Sequence, residues 1–152
     1  MNNTIFKFEV PANEPVRSFA PGSAERDEVR RALAAMAGSE IEIPLVIGGR
    51  EVRTGKLAAV RNPCNHRQVL ARVHQAGKAE VEAAVAAALA ARRNWETMSW
   101  VERASISLKV ADLLATKYRW QMLAATMLGQ GKNVYQAEID AACETADYLR
   151  YN

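Results

Sequence analysis

The sequence contains few of the residues that usually mark a catalytic or metal centre. Its 152 residues include two cysteines and two histidines. Two thiols, Cys64 and Cys143, are too few for a disulfide framework and predict reduced cysteines of the kind found in cytosolic proteins. Cys64 and His66 form a Cys-x-His pair, but a nucleophile must meet its base in space. With His74 they still lack a fourth metal ligand, so the sequence predicts neither a catalytic cysteine nor a metal site.

Strong charge, aromatic stripes and long apolar runs are also missing. The net charge is +3 and aromatic residues make up 7% of the chain. Basic residues are scattered among acidic ones and do not alternate with aromatics, which argues against nucleic-acid binding. No apolar run approaches the roughly 18–20 residues of a membrane-spanning helix. A hydrophobic content of 49% predicts instead one globular unit with its own core.

The N-terminus predicts a location and an extended segment. Residues 1–9 lack the pattern of a secretion signal and the arginine-rich character of a mitochondrial presequence. We therefore expect a cytoplasmic protein, with the mitochondrial matrix after processing as the alternative. Pro11, Pro15 and Pro21 predict that residues 1–21 form an extended arm that lies on another part of the protein.

Residues 22–76 predict a short helix followed by hairpin strands. Ser23 is suited to cap a helix that ends at Gly38. The pair Gly48-Gly49 separates two strand-like runs and predicts a hairpin. A second strand pair is expected on either side of the turn at residues 62–66.

Residues 77–152 predict a series of helices. An alanine-rich segment from Ala79 to Trp95 favours a helix, because alanine is the best helix former. A capping box at residues 99–102 opens a second helix, whose wide apolar surface predicts burial on more than one side. A third helix is expected near residues 119–128, and the last begins near Val134 and continues to the C-terminus. Gly129 and Gly131 are expected to bracket the break between these two helices.

The glycine turn and the acidic residues after it are the remaining candidates for chemistry. The sequence Gly129-Gln130-Gly131-Lys132 is neither a phosphate-binding Walker motif nor a dinucleotide fingerprint, and it predicts a helix end. Four carboxylates follow on the last helix, and exposed acidic side chains are the norm, so solvation is expected for them. These residues are Glu138, Asp140, Glu144 and Asp147.

The segment from Gly129 to Ala142 resembles the N-terminal region of the aldehyde dehydrogenase superfamily. Its sequence, GQGKNVYQAEIDAA, is most similar to that of enzymes that oxidise glutamate γ-semialdehyde. Further matches occur in the same order at the Asn62–His66 turn and in the run Ala87–Arg92. The resemblance covers nearly the whole chain, although this family often has phenylalanine at the position of Cys64.

The resemblance implies an α/β aldehyde dehydrogenase fold for the complete enzyme, of which this portion is mainly α-helical with short β-hairpins. Residues 77–152 would be the helical part of an incomplete NAD-binding domain. The complete enzymes use NAD, a cysteine nucleophile and a glutamate base, and a β-arm joins their subunits into oligomers. No catalytic or cofactor-binding segment of this kind matches residues 1–152, so we expect a fragment that is inactive without the remainder of its chain.

One residue inherits a site role from the resemblance. Glu138 matches the glutamate of the Gln-Ala-Glu-Ile-Asp segment, and it is expected to bind the α-amino group of the aldehyde substrate. Two alternatives remain open. The aldehyde could be α-aminoadipate semialdehyde, whose enzymes share the helical layout. The chain could also be a non-catalytic helical module that binds a partner through its exposed apolar helix surface.

Overall fold

The structure, a computed structural model, describes residues 10–152. The first nine residues of the predicted arm lie outside the described residues. The helices are α1 (Ala24–Ala37), α2 (Lys78–Thr97), α3 (Trp100–Ala115), α4 (Arg119–Gln130), α5 (Val134–Ala137) and α6 (Glu144–Tyr151). The strands are β1 (Ile41–Ile43), β2 (Leu45–Ile47), β3 (Arg50–Val52), β4 (Leu57–Asn62) and β5 (Asn65–His74). The portion is mainly helical with short strands, as the fold class predicted.

Helix α1 begins and ends at the residues that the sequence indicated. The hydroxyl of Ser23 accepts a hydrogen bond from the backbone N–H of Arg26 at 3.3 Å, which satisfies a donor that the first turn leaves unpaired. Gly38 closes the other end. Val29 is the buried residue of this helix, and it packs in the core that α1 shares with α4.

The strands form two small sheets. Strands β2 and β3 make the predicted hairpin, with φ of +56° at Gly48 and +76° at Gly49. Strands β4 and β5 form the second predicted antiparallel pair. Strand β1 adds to β5 in parallel, with Ile41 opposite Ala71. The sequence did not indicate β1, because a parallel partner about thirty residues away leaves no local turn signal.

Helices α2 and α3 are more exposed than their apolar faces predicted. No residue of α2 is buried, and Val81, Val85 and Leu89 are each more than half exposed. Helix α3 buries Ala111 and Ala115, while its larger apolar residues stay largely exposed. The expected burial of α3 on more than one side is therefore wrong for this chain. Among residues 10–152, α2 packs on β2 and α3 packs mainly on α6, and these contacts leave the larger apolar side chains of both helices largely uncovered.

Helix α4 lies at the centre of the core. Leu123 and Ala124 are fully buried in it. The core cluster also contains Val29, Ala137 and Ala142, so it joins α1, α4 and the helical segment that follows. This core packs α4 against the helical segment from Val134 to Tyr151, which carries most of the candidate site residues.

The break after α4 lies at Gly131 alone. Gly129 is inside α4, so the expectation that both glycines bracket the break is wrong. Gly131 has φ of +70°, a left-handed conformation, and its N–H donates to the carbonyl of Met127. A Cβ at Gly131 would lie 3.3 Å from Cys64 Sγ, whereas one at Gly129 would meet nothing within 4 Å. The two glycines therefore have different physical roles.

We expect Gly131→Ala to lower the free energy of unfolding by roughly 1–2 kcal/mol, because the left-handed conformation is unfavourable for alanine. Gly129→Ala is the matched control, and it should raise the free energy of unfolding by up to about 1 kcal/mol, since alanine is the better helix residue. Urea unfolding followed by circular dichroism measures both changes. Equal effects at the two positions would contradict the assignment of the break to Gly131.

Candidate functional site

Glu138, the residue predicted to bind substrate, lies in a π-helical turn between α5 and α6. This turn, Glu138–Cys143, is called here the wide turn. The Glu138 side chain has no exposed surface. Its Oε1 accepts a hydrogen bond from the backbone N–H of Arg17 at 2.7 Å, and its Oε2 accepts one from Arg119 Nε at 3.2 Å. The expected solvation of Glu138 is therefore wrong, because an arginine and a backbone N–H replace the water.

Arg119, the first residue of α4, is the partner that makes this burial possible. Its side chain is 1% exposed, and a second bond joins its Nη2 to Glu138 Oε1. Its Nη1 donates to Glu14 Oε1 at 2.6 Å and to the carbonyl of Ala115 at 3.2 Å, and its Nη2 also donates to the carbonyl of Pro15 at 3.1 Å. All five guanidinium N–H groups are thus satisfied, as burial of this cation requires.

Burial alone would lower the pKa of Arg119. The hydrogen bonds that Arg119 donates to Glu138 and Glu14, together with the charge of Glu138, outweigh burial, so the pKa is raised. Arg119 therefore remains a cation at every pH at which the protein is folded. The two carboxylates balance its charge within the interior. Arg119 therefore has a structural role between the two carboxylates. All of its N–H donors are occupied, so none is left to bind a ligand.

Cys143 completes this cluster and is unsuited to be a nucleophile. Its sulfur lies 3.6 Å from Arg119 Nη2 and 3.9 Å from Glu138 Oε1. Burial and the negative charge of Glu138 raise the pKa of the Cys143 thiol. Because the thiolate is the reactive form, the raised pKa keeps Cys143 unreactive near neutral pH.

We expect iodoacetamide at pH 7.5 to modify Cys64 and to leave Cys143 unmodified in the folded protein. Cys64 is exposed, whereas Cys143 is buried and its thiol pKa is raised. Peptide mass mapping after a short reaction gives the two extents of modification. The same reaction in urea is the control and should modify both cysteines. Rapid modification of Cys143 without urea would contradict the buried cluster.

Hydrogen bonds and ion pairs, including those of Glu14, hold the N-terminal segment against α6. Asp147 accepts hydrogen bonds from Asn13 Nδ2 at 3.0 Å and from the backbone N–H of Glu14 at 2.7 Å. Glu14 Oε2 pairs with Arg150 at 2.8 Å. Tyr151 donates its hydroxyl to the carbonyl of Pro11 at 2.7 Å. Residues 11–17 therefore lie on α6 and on Arg119, as the prediction of an arm lying on another part of the protein required.

A groove of about 390 Å³ opens beside this contact. Its lining residues are Asn13, Glu144, Asp147, Tyr148 and Tyr151. Asp140, another carboxylate of this segment, lies outside the groove and pairs with Lys132 at 2.5 Å. Glu144 is exposed, and among residues 10–152 it has no hydrogen-bond or ion-pair partner. Glu144 is thus the carboxylate of the groove that is available to a ligand.

The described residues do not fit a dinucleotide cofactor. The turn at Gly131 follows a helix, not a strand, and Lys132 is engaged by Asp140. Between β5 and α2, the carboxylate of Glu80 accepts a hydrogen bond from the N–H of Gly77 at 2.7 Å and so occupies the N-terminus of α2. An anion at that helix N-terminus would meet this carboxylate. Neither of these two positions therefore provides a site for NAD.

Residues 10–152 contain no arrangement of side chains suited to a metal ion and no helix suited to cross a membrane. No group of three or more His, Cys, Asp or Glu side chains is arranged to hold a metal ion in this range. In the same range, no helix is both long and apolar enough to cross a membrane. Cys64 and His66 both line a shallow surface depression. His74 is buried and accepts a hydrogen bond from the N–H of Gly55 at 3.1 Å.

The aldehyde dehydrogenase family model matches residues 51–152. The chain belongs to the aldehyde dehydrogenase family. Two curated relatives within this family are similar over almost the whole chain. The Δ1-pyrroline-5-carboxylate dehydrogenase of Agaricus bisporus is 48% identical over 147 residues, which are 96% of this chain and 27% of the relative. The mitochondrial Δ1-pyrroline-5-carboxylate dehydrogenase of Bos taurus is 46% identical over 93% of this chain and 25% of its own length.

Solved structures of the family agree with the fold. The Δ-pyrroline-5-carboxylate dehydrogenase of Mycobacterium tuberculosis, solved with NAD and cobalamin, is 45% identical and superposes with a TM-score of 0.94 over 99% of this chain and 29% of that chain. A Thermus 1-pyrroline-5-carboxylate dehydrogenase solved with NAD has a TM-score of 0.88 at 32% identity over 96% of this chain and 28% of that chain. The resemblance that the sequence indicated is confirmed. This chain spans about a quarter of the length of its curated relatives.

The sequence indicated one member of the buried cluster and missed the others. Glu138 was singled out, but its partner Arg119 is 19 positions away along the chain. Glu14, the other carboxylate bound by Arg119, is 105 positions from that arginine. No local pattern links residues that far apart. The five-residue spacing of Glu138 and Cys143 gave no signal either, because residues i and i+5 do not share a face in a regular α-helix. Whether Glu138 contacts a substrate is not tested by this geometry and stays a prediction.

Proposed function

We propose that this chain is the N-terminal part of an NAD-dependent dehydrogenase that oxidises L-glutamate γ-semialdehyde to L-glutamate in proline catabolism. The similarity to two Δ1-pyrroline-5-carboxylate dehydrogenases at 48% and 46% identity supports this substrate. The reaction consumes the aldehyde, NAD and water, and it yields the carboxylic acid, NADH and a proton. NAD, when bound by the complete enzyme, accepts the hydride.

We propose further that residues 1–152 have no dehydrogenase activity alone. The observation that carries this proposal is the state of the two thiols. Cys143 is buried with a raised pKa, and exposed Cys64 matches no family nucleophile. The NAD site and the nucleophilic cysteine therefore belong to the remainder of the polypeptide. We propose that this remainder is the main binding partner of residues 1–152.

Within this chain, we propose that Glu144 binds the α-ammonium group of the substrate. The predicted residue, Glu138, would have to give up its bonds to Arg17 and Arg119 to do so. Glu144 is exposed in the groove, where the ring of Tyr148 offers an additional face to a cation. A carboxylate that meets an ammonium group forms charge-assisted hydrogen bonds.

The test is an NADH assay with two proteins, the complete gene product and residues 1–152. With glutamate semialdehyde and NAD, we expect steady NADH formation by the complete protein and none by residues 1–152. A substrate panel that includes α-aminoadipate semialdehyde decides between the two aldehydes. Activity of residues 1–152 alone, or no oxidation of either semialdehyde by the complete protein, would refute the proposed function.

The exposed faces of α2 and α3 favour a second candidate, a non-catalytic module that binds a partner protein. Val81, Val85 and Leu89 form an apolar stripe in which each residue is more than half exposed. Stripes of this kind mark contact surfaces. A specific stoichiometric partner other than the remaining dehydrogenase chain would favour this candidate. The main proposal also includes formation of a homo-oligomer, which size-exclusion chromatography of the complete protein tests. Cell fractionation decides between the cytoplasm and the mitochondrial matrix as its compartment.

A further inference from the structure

The wide turn gives the helical segment after α5 a rotation that a regular α-helix would not have. The backbone N–H of Glu144 donates to the carbonyl of Ile139, five residues back, whereas an α-helix would bond it to Asp140. Each residue of an α-helix advances by about 100° around the axis. A return of this turn to α geometry would therefore rotate Glu144 by roughly that angle relative to α5.

The side chains at the two ends of the wide turn both meet Arg119. Glu138 and Cys143 are five residues apart, a spacing that separates side chains in an α-helix and aligns them in a π-helix. Arg119 binds both oxygens of Glu138 and lies 3.6 Å from the sulfur of Cys143. The guanidinium thus contacts the turn at its beginning and at its end. π-helical turns are rare, so this one needs an interaction that the α-helical alternative would lose.

This rotation determines which face of the segment is buried and which face is directed to the groove. Ala142 and Ala146 are fully buried, four residues apart on the face that packs inward. Glu144 lies between them in sequence and projects to the exposed side, where it lines the groove with Tyr148. A rotation of about 100° would remove Glu144 from the groove.

We propose that Arg119 is a positioning residue: by binding Glu138 and Cys143 it holds the wide turn, and the wide turn directs Glu144 into the groove. The step from Glu144 to the substrate rests on the function proposed above. Arg119 itself does not touch the substrate, because all five of its N–H groups are engaged within the cluster.

The test uses the double variant Arg119→Met/Glu138→Gln of the complete protein. It removes both charges together, since a buried pair is often replaced by neutral side chains of similar volume without loss of folding. Glutamine retains an acceptor for the N–H of Arg17, and Glu14 retains Arg150. We expect KM for glutamate semialdehyde to rise about 10-fold, while KM for 5-oxopentanoate, which lacks the amino group, changes less than about two-fold. The matched control is Lys132→Met/Asp140→Asn, which removes an ion pair at the surface and should change neither KM.

Equal changes for the two aldehydes would overturn the proposal, because general loosening of the fold affects both. A crystal structure of the double variant decides the positioning step independently of activity. We expect the N–H of Glu144 to bond the carbonyl of Asp140 in that structure. Retention of the bond to Ile139 would refute the role of Arg119. If the wild-type protein oxidises neither aldehyde, the proposed function fails, and the crystal structure still decides the role of Arg119.

Discussion

Replacing Arg119 alone with alanine is expected to lower the free energy of unfolding by about 3–5 kcal/mol, because it leaves a buried carboxylate without its partner. Glu138 has no exposed surface and Glu14 is 8% exposed, so neither can recover its water without opening the interior. A loss of this size is a large fraction of the stability of an ordinary domain. We also expect a lower yield of soluble protein for this variant.

Lys132→Ala is the matched control for this prediction. Lys132 and Asp140 also form a close ion pair, but their side chains are 33% and 41% exposed. Exposed pairs of this kind contribute about 0–1 kcal/mol, since water replaces the lost partner. Urea unfolding of both variants, followed by circular dichroism, gives the comparison. Similar small effects for both variants would mean that the Arg119 cluster is hydrated in solution.

Glu144→Gln in the complete protein is expected to raise KM for glutamate semialdehyde about 10-fold, because a hydrogen bond between two charges is replaced by one to a neutral amide. We expect kcat to change little, since the bond forms equally in the ground state and in the transition state. Initial-rate kinetics over a range of aldehyde concentrations measures both constants.

Asp140→Asn is the control for the Glu144 prediction. Asp140 is another carboxylate of the same segment, but it pairs with Lys132 outside the groove, so KM should stay unchanged. The aldehyde 5-oxopentanoate provides a second control, because it has no ammonium group for Glu144 to bind. An unchanged KM for glutamate semialdehyde in Glu144→Gln would assign the groove to another ligand.

The helix ends were predictable because their signals are local. Ser23 and the Ser99–Glu102 box each satisfy backbone N–H groups within three residues of themselves, and the observed caps are the predicted ones. The Gly48-Gly49 hairpin was predictable for a similar reason, since the turn itself requires positive φ. The segment that contains the wide turn was predicted as a continuous helix, because a π-helical turn has no composition that distinguishes it from an α-helix.

The candidate site was only partly predictable. The resemblance directed attention to the acidic segment after Lys132, and the groove does lie there. Which carboxylate is buried and which is free could not be read from that segment. Glu138 is buried because Arg119, from another helix, and the backbone of Arg17, from the N-terminal segment, lie against it. These partners come together through the tertiary structure.

The sequence by itself determined the family, through motifs that follow one another along nearly the whole chain. It also determined the helical character of the chain, the capped helix ends and the hairpin, because each of these depends on residues close together in the chain. The tertiary structure decided which charges lie inside. It brought Glu14, Arg119 and Glu138 together from three separate segments and left Glu144 exposed in the groove. Burial of a charge depends on whether a partner arrives to replace its water, and in this protein the partner comes from a distant part of the chain.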